Sequence, residues 1–447
     1  MLKRKIMNDL LKWKEGSHDK VLVVKGLRQV GKTYIINQFC RENYKNVVYI
    51  NFKEQKEIRS IFDGDLVVDS IIVSLSAALP GTRFVPHKTI IFFDEIQDCS
   101  RARTSLKTFV NDGRYDVIAS GSLLGLRDYN KKLKQDVPVG YERFLTMMPL
   151  DFEEFLWAMG IDDSVIATVT NCFKEKKPVP QFIHNKMMEY YRQYLIVGGM
   201  PNVVNEFIKT HDINAVLDNQ RDLLQGYKDD FGKHLNDEEN EIVNSVLLSR
   251  IEAVFDSLPA QLSKENNKFQ YSAIKKSARA REYSSAVQWL VDYGLVDRCF
   301  NLKTPQLPLE GNKDEDVFKL YMCDTGLFIA MLEEGTADDI LKNRLYQYKG
   351  AIYENVIADS FLKNSRKLYY FHKDSGLEID FVTRYQSKST LIEVKAKNGD
   401  VKAAKTILKN KEIYHVDSLI KLGDYNVGYE NNILTLPYYM AFLINER

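Results

Sequence analysis

Residues 21–39, VLVVKGLRQVGKTYIINQF, join an apolar run, a glycine-bounded turn and a helical pattern end to end. Gly26 is followed by four residues and then by Gly31, Lys32 and Thr33. That order makes a phosphate cradle. The glycines let backbone N–H groups wrap an anion with no Cβ in the way, and the positive end of the next helix faces the same point. In such a loop Lys32 reaches the β- and γ-phosphates of ATP, and the Thr33 hydroxyl ligates Mg²⁺.

The cradle needs an acid at the end of a neighbouring apolar strand. KTIIFFDEIQD, residues 88–98, supplies Asp94 to hold magnesium through water, and Glu95 as general base for the attacking water. YDVIASGSLLG, residues 115–125, brings Ser120 and Ser122 to the end of another strand. Either hydroxyl senses the γ-phosphate or caps a helix, and both readings stay open. Strands are expected at Val21–Lys25, Val47–Asn51, Thr89–Asp94 and Asp116–Ala119, with a helix from Lys32 to about Arg41. Alternation of this kind marks an α/β domain with a largely parallel sheet.

Beyond it, PLDFEEFLWAMG (149–160) opens a helical stretch running to about Glu206 and interrupted by KEKKPVPQF (174–182). GGMP (198–201) reads as a rigid turn between helices. A helix over Glu282–Tyr293, a glycine turn and a strand suggest a winged helix. Lys268, Lys275, Lys276, Arg279 and Arg281 precede that helix and are placed to meet DNA phosphates. Its first turns offer Ser284, Ser285 and Gln288 rather than base-reading arginines, so a structural or protein-docking use is the alternative.

The last region carries charges inside apolar runs. In LEIDFVTRYQSKSTLIEVKAKN (377–398), Asp380 interrupts one expected strand, Leu377–Thr383, and Glu393 and Lys395 interrupt the next, Thr390–Lys395. Residues two apart share one face of a strand. Two adjacent carboxylates repel, raising one pKa unless a cation lies between them, and a hard divalent ion suits them. Asp380 with Glu393 and Lys395 matches the D…(D/E)-x-K pattern of restriction-type nucleases. There the acids hold Mg²⁺ or Mn²⁺ and the lysine orients or deprotonates a water. The alternative is a retained scaffold whose acids merely pair with lysine. A further helix is expected at Lys402–Ile407 and a strand at Glu412–Val416.

A chain of 447 residues is expected to form two or three domains. A net charge of +1 does not by itself point to nucleic acid. Five scattered cysteines without a CxxC pair argue for a reducing compartment and against a structural zinc site. The start, MLKRKIMNDLLKWKEG, reads as an amphipathic helix rather than a signal peptide, and no apolar run is long enough for a membrane span. A cytoplasmic protein is expected.

The motifs GLRQVGKT, IIFFDEIQD, ASGSLLG, MMPLDFEEFL, YLIVGGMPNVV, KLYMCDTGL, KGAIYENVIADSF, GLEIDFV and LIEVKAKN together resemble the bacterial and archaeal AAA_14-type ATPases that end in a DUF4143 domain. The resemblance implies an AAA-related P-loop NTPase domain, a helical and winged-helix middle, and a C-terminal restriction-endonuclease-like α/β domain. The expected boundaries are 1–205, 206–335 and 336–447. It further implies that Glu354 completes the metal shell of Asp380 and Glu393. The turn Asp374–Gly376 borders that site, and Lys397 or Lys373 touches the nucleic-acid backbone. Arg143, then Arg127, is the candidate arginine for the γ-phosphate, with a plain surface arginine as the alternative for each. The expected function is a Mg²⁺-dependent ATPase coupled to a DNA-binding, metal-dependent nuclease domain. The rival is an ATP-dependent switch whose C-terminal half docks protein or DNA without cleaving it. Homo-oligomerisation is open.

Overall fold

In the computed structural model, which describes residues 2–17, 19–122, 140–233, 241–263, 268–344, 348–395 and 401–445, the phosphate-loop strand lies inside a parallel sheet. Its five strands are Val21–Lys25 (β1), Asn46–Asn51 (β2), Thr89–Asp94 (β3), Asp116–Gly121 (β4) and Glu142–Thr146 (β5), ordered β2-β3-β4-β1-β5. All four pairings are parallel. β3 is buried along its whole length, which is why TIIFFD reads as a continuous apolar run rather than an alternation. Phe93 meets Phe52, Phe62 and Phe109 at centroid distances of 5.4–6.0 Å and anchors the core on one face. Because the strands run the same way, the C-terminal ends of β1, β3 and β4 open on one edge, where ligands bind in such sheets. The edge strand β5 was not expected; its residues are mostly exposed and give little apolar signal.

The chain divides into two compact units. Arg4–Met148 makes up most of one, and Pro149–Val291 with Leu295–Arg447 the other. The expected break at 205 therefore moves to 148/149. The reason is packing: Phe152 lies against Tyr191, Tyr194 and Phe442, and Phe155 stacks on Phe207, so the segment 149–205 has its core in the second unit.

The expected boundary at 335/336 is crossed by a sheet. Val296–Leu302 (β6), Lys313–Met322 (β7), Leu368–His372 (β8) and Glu378–Ile379 (β9) are ordered β7-β6-β8-β9, so the antiparallel pair β6–β7 continues into C-terminal strands. A second sheet contains Phe381–Tyr385 (β10), Lys388–Lys395 (β11), Ser418–Gly423 (β12), Gly428–Glu430 (β13) and Ile433–Pro437 (β14), ordered β10-β11-β12-β14-β13. The expected strand Leu377–Thr383 is thus broken at Asp380: β9 pairs with β8, and β10 with β11. Where Glu412–Val416 was expected to be a strand, Lys411–Tyr414 is a short helix ended by His415 at φ 52°, and the strand begins at Ser418. Ile413 is exposed there, so the short apolar pattern has no sheet to face.

A buried polar network joins four of the quoted motifs. Asp324 accepts from Leu327 N at 3.1 Å, capping the helix Thr325–Ala330, and from Gly199 N at 2.6 Å. Lys363 donates to Asp359 at 2.8 Å and to Tyr194 Oη at 2.9 Å, and lies 3.8 Å from Asp324. Tyr194 in turn donates to Leu150 O at 2.8 Å. Asn355 accepts from Met322 N at 2.9 Å and donates to Thr325 Oγ1 at 3.0 Å. Small residues let these backbones approach. A Cβ on Gly199 would sit 2.0 Å from Leu150 O, and one on Gly326 2.7 Å from Gly198 N.

Gly199→Ala should therefore destabilise the second unit by about 1–3 kcal/mol, read as a lowered urea midpoint. A pH effect follows from Asp359, pushed up to about 8 by burial, with Lys363 opposing and Asp324 adding to the rise. Its carboxyl stays protonated in the fold over a range where the unfolded chain ionises it, so stability falls as pH climbs from about 4 to about 8. Asp359→Asn should flatten that decline in unfolding series across the same range.

Candidate functional site

The N-terminal site is assembled where β1, β3 and β4 end. Gly26 passes so close to Met147 that a Cβ would lie 2.2 Å from the Met147 carbonyl, and Gly31 starts the helix Lys32–Asn43 from a left-handed φ of 91°. Arg4, which was not anticipated, donates to Val30 O at 3.2 Å and Met148 O at 2.6 Å, holding the loop backbone from behind. Lys32 is buried and donates to Gly26 O at 2.9 Å, Leu27 O at 3.0 Å and Ser122 Oγ at 3.1 Å. Burial lowers its pKa to about 8, against the pull of Glu95 and Asp94.

Asp94 is buried and accepts from four sides. Thr33 Oγ1 and Tyr49 Oη each donate to Oδ2 at 2.9 Å; Ser120 Oγ and Glu95 N donate to Oδ1. The expected pair Thr33 and Asp94 is therefore in contact. It offers a hydroxyl and a carboxylate, a donor set that suits Mg²⁺, which completes its shell with water and phosphate oxygens. Both candidate serines reach the site, Ser120 at Asp94 and Ser122 at Lys32. Glu95 adopts a left-handed φ of 51°, and Gln97 donates to its Oε2. For a non-glycine residue that conformation costs about 1–2 kcal/mol and is characteristic of functional positions. Gln97 and Tyr49 were missed; Gln97 lies within IIFFDEIQD and Tyr49 on the strand beside it, but only the three-dimensional contact gives each a role.

Arg143 is not brought to this point. It pairs with Leu22 on the exposed strand β5, ~13 Å back along β1 from Gly26, and its charge acts on Asp19. Arg127 and Lys397 fall outside the described residues.

In the second unit, Asp380 lies at the break between β9 and β10 and accepts from Val394 N at 2.7 Å, so it sits beside Glu393 and Lys395. Lys395 pairs with Glu393 at 2.5 Å, and Tyr438 donates to the Lys395 carbonyl. Glu354, on the helix Lys349–Lys363, accepts from Tyr321 Oη at 2.9 Å. The unanticipated member is Lys319 of β7. It is fully buried, 3.5 Å from Glu354 and 3.3 Å from Glu378. Burial, then Glu354 and Glu393, raise Asp380 well above the usual carboxylate range, against Lys319 and Lys395. Burial raises Glu393 too, with Lys395 opposing.

The three acids thus converge as expected, but not as a ligand set. Among the described residues no group of three His, Cys, Asp or Glu side chains is arranged to hold a metal ion. Two lysines supply the neutralising charge instead: Lys395 to Glu393, and Lys319 to Glu354 and Glu378. Lys319 had a sequence signal, a single lysine inside the apolar run FKLYMC, but its partners are far away in the chain. Lys373 packs over the Tyr414 ring at 5.0 Å, beside the exposed turn Asp374–Gly376.

Around the helix Ala280–Tyr293, Phe269 stacks on Phe318 and Gln288 accepts from Arg298 at 2.8 Å, while Lys275, Lys276, Arg279 and Arg281 are exposed. Among the described residues no helix is long and apolar enough to cross a membrane.

Comparison with protein families matches three segments of the chain. Residues 18–156 match the AAA_14 family, an AAA domain, and residues 349–439 match DUF4143, a domain of unknown function. Residues 188–338 match another domain of unknown function, DUF8612. An uncharacterized protein of Methanocaldococcus jannaschii, MJ1544, is 23% identical over 429 residues, covering 91% of this chain and 82% of that protein. Among solved structures, the Walker-type ATPase PABY2304 of Pyrococcus abyssi is similar with a TM-score of 0.42 and 13% identity, over 74% of this chain and 96% of that one. The ORC2 protein of Aeropyrum pernix has a TM-score of 0.33 and 13% identity, over 76% and 91%.

The lysine-neutralised cluster predicts that Lys319→Met destabilises the second unit by roughly 2–4 kcal/mol. That is below the full cost of stranding buried charge, because solvent reaches Glu378. Denaturant midpoints of wild type and variant test this.

Proposed function

We propose that this AAA_14–DUF4143 protein binds and hydrolyses Mg²⁺-ATP in its N-terminal unit and uses its C-terminal unit as a docking module for nucleic acid. The observation that carries the first half is the contact set in which Lys32, Thr33, Asp94, Ser120 and Ser122 share one strand edge. Backbone N–H groups from Gly26 to Thr33 cradle the phosphates. Lys32 exchanges two carbonyls and a hydroxyl for anionic phosphate oxygens, a change to stronger, charge-assisted bonds. Thr33 and Asp94 would hold the magnesium ion, which offsets phosphate charge when bound. Glu95, oriented by Gln97, takes the proton of the attacking water.

For the second half, the pairing of Lys319 with Glu354 and Glu378 supports docking rather than cleavage. A second reading has one observation in its favour. Asp380, Glu393 and Lys395 meet at a partly exposed point, as a restriction-endonuclease-like site requires.

Lys32→Ala should abolish ATP turnover in a phosphate-release assay. Glu95→Gln should retain nucleotide binding and lose about 100-fold or more in turnover. Normal turnover in either variant would remove the proposed site. Plasmid incubated with Mn²⁺ should stay intact. Cutting by the wild type that Asp380→Ala abolishes would establish the second reading instead.

A further inference from the structure

Two adjoining clefts lie at the end of the β10–β14 sheet away from the acid–lysine cluster. The larger, about 790 Å³, runs between the end of the helix Asp163–Glu175 and the turn joining β10 to β11; the smaller, about 670 Å³, shares Lys411, Asp417, Tyr429 and Asn432 with it. Lys174, Lys176, Lys388 and Lys411 line the first. Lys405, Lys409 and Lys421 add to the second, and the acids of the two linings are Asp417 and Glu430. The whole chain balances 62 basic against 61 acidic residues, so seven lysines against two acids is a local concentration. All but Lys421 of these lysines are exposed.

The lysines are not on a loose tail. Asn426 clamps Val179 through two 2.8 Å bonds, one to its N–H and one to its carbonyl, and so fixes the KEKKPV segment against the sheet. Tyr429 stands at the junction of the clefts, 50% exposed, with the Lys176 ammonium 3.8 Å from its ring centre. β11 starts at Lys388 beside the clefts and ends at Lys395 in the acid cluster, ~23 Å away at about 3.3 Å per residue. The two sites are separate.

We propose that these clefts bind single-stranded nucleic acid, with lysines tracking the phosphates and a base stacking on Tyr429. Lysine ammoniums act as point charges on phosphate and read no sequence. An exposed aromatic ring set among them is the other half of a strand-binding surface. A duplex keeps its bases stacked and offers nothing to that ring. Two clefts sharing one wall extend past a single nucleotide, which favours a polymer. The inference rests on the docking reading and adds its ligand class and its place.

Fluorescence anisotropy of the full chain with fluorescein-labelled dT20, across a salt series, tests it. Tyr429→Ala should weaken binding about 5- to 100-fold with the salt slope kept. The pair Lys388→Ala and Lys411→Ala should lower that slope by about 1.4. A 20-bp duplex should bind more weakly and ignore Tyr429→Ala. Unfolding midpoints of the variants should match the wild type, excluding misfolding as the cause. Tight dT20 binding that these changes leave alone, but Lys275→Ala with Lys276→Ala releases, would overturn the cleft assignment and leave the docking reading standing. No dT20 binding, with retention on phosphatidylserine vesicles, would overturn both.

Discussion

A carboxylate taken out of water must be met by donors on several sides, and each unit is organised around one that is. Leaving such a group short of partners costs several kcal/mol. In the N-terminal unit Asp94 receives Thr33, Tyr49, Ser120 and the Glu95 amide, which come from four places in the chain. Satisfying Asp94 therefore brings the phosphate loop, the second strand and the fourth strand to one point. In the second unit Asp324 receives the amides of Gly199 and Leu327, with Lys363 nearby. The turn GGMP, the helix after MCD and the long helix Lys349–Lys363 are held together as a consequence.

This accounts for what the sequence discloses. The parallel core was legible because its signals are local: a continuous apolar run for each buried strand, and glycine where the loop must wrap. Four strands and the helix after the loop fall where periodicity places them. β5 was not legible, because an exposed edge strand lacks the apolar run that marks its neighbours. The domain divisions were obscured for another reason. Segment 149–205 has helical spacing whichever core it joins, and β8 carries no mark in its own residues that it will pair with β6.

The candidate sites divide in the same manner. Lys32, Thr33 and Asp94 were readable because a strand–loop–helix order dictates their meeting. Asp380, Glu393 and Lys395 were readable as charges inside strands. Lys319 was not assigned, because its role depends on β7 lying beside the helix that carries Glu354, a contact between segments 35 residues apart. Its effect is large nonetheless. It turns a cluster expected to draw a metal ion into one whose negative charge is already opposed from within the protein.

That opposition bears on how the near-zero net charge is distributed. Lys319 is buried, Lys395 is partly exposed, and both are paired with acids, so they hold acids together and offer little to an outside anion. All but one of the lysines around Tyr429 are exposed, against only two acids in the linings, and Lys411 stands 3.8 Å from one of them, Asp417, at the loose end of an ion-pair distance. An exposed ammonium can meet a phosphate without leaving a buried carboxylate unpaired, whereas drawing Lys319 or Lys395 outward would strand carboxylates behind it. The same residue type therefore performs two tasks in one unit. Burial makes it a structural counter-charge, and exposure beside an aromatic ring makes it a contact for a charged polymer.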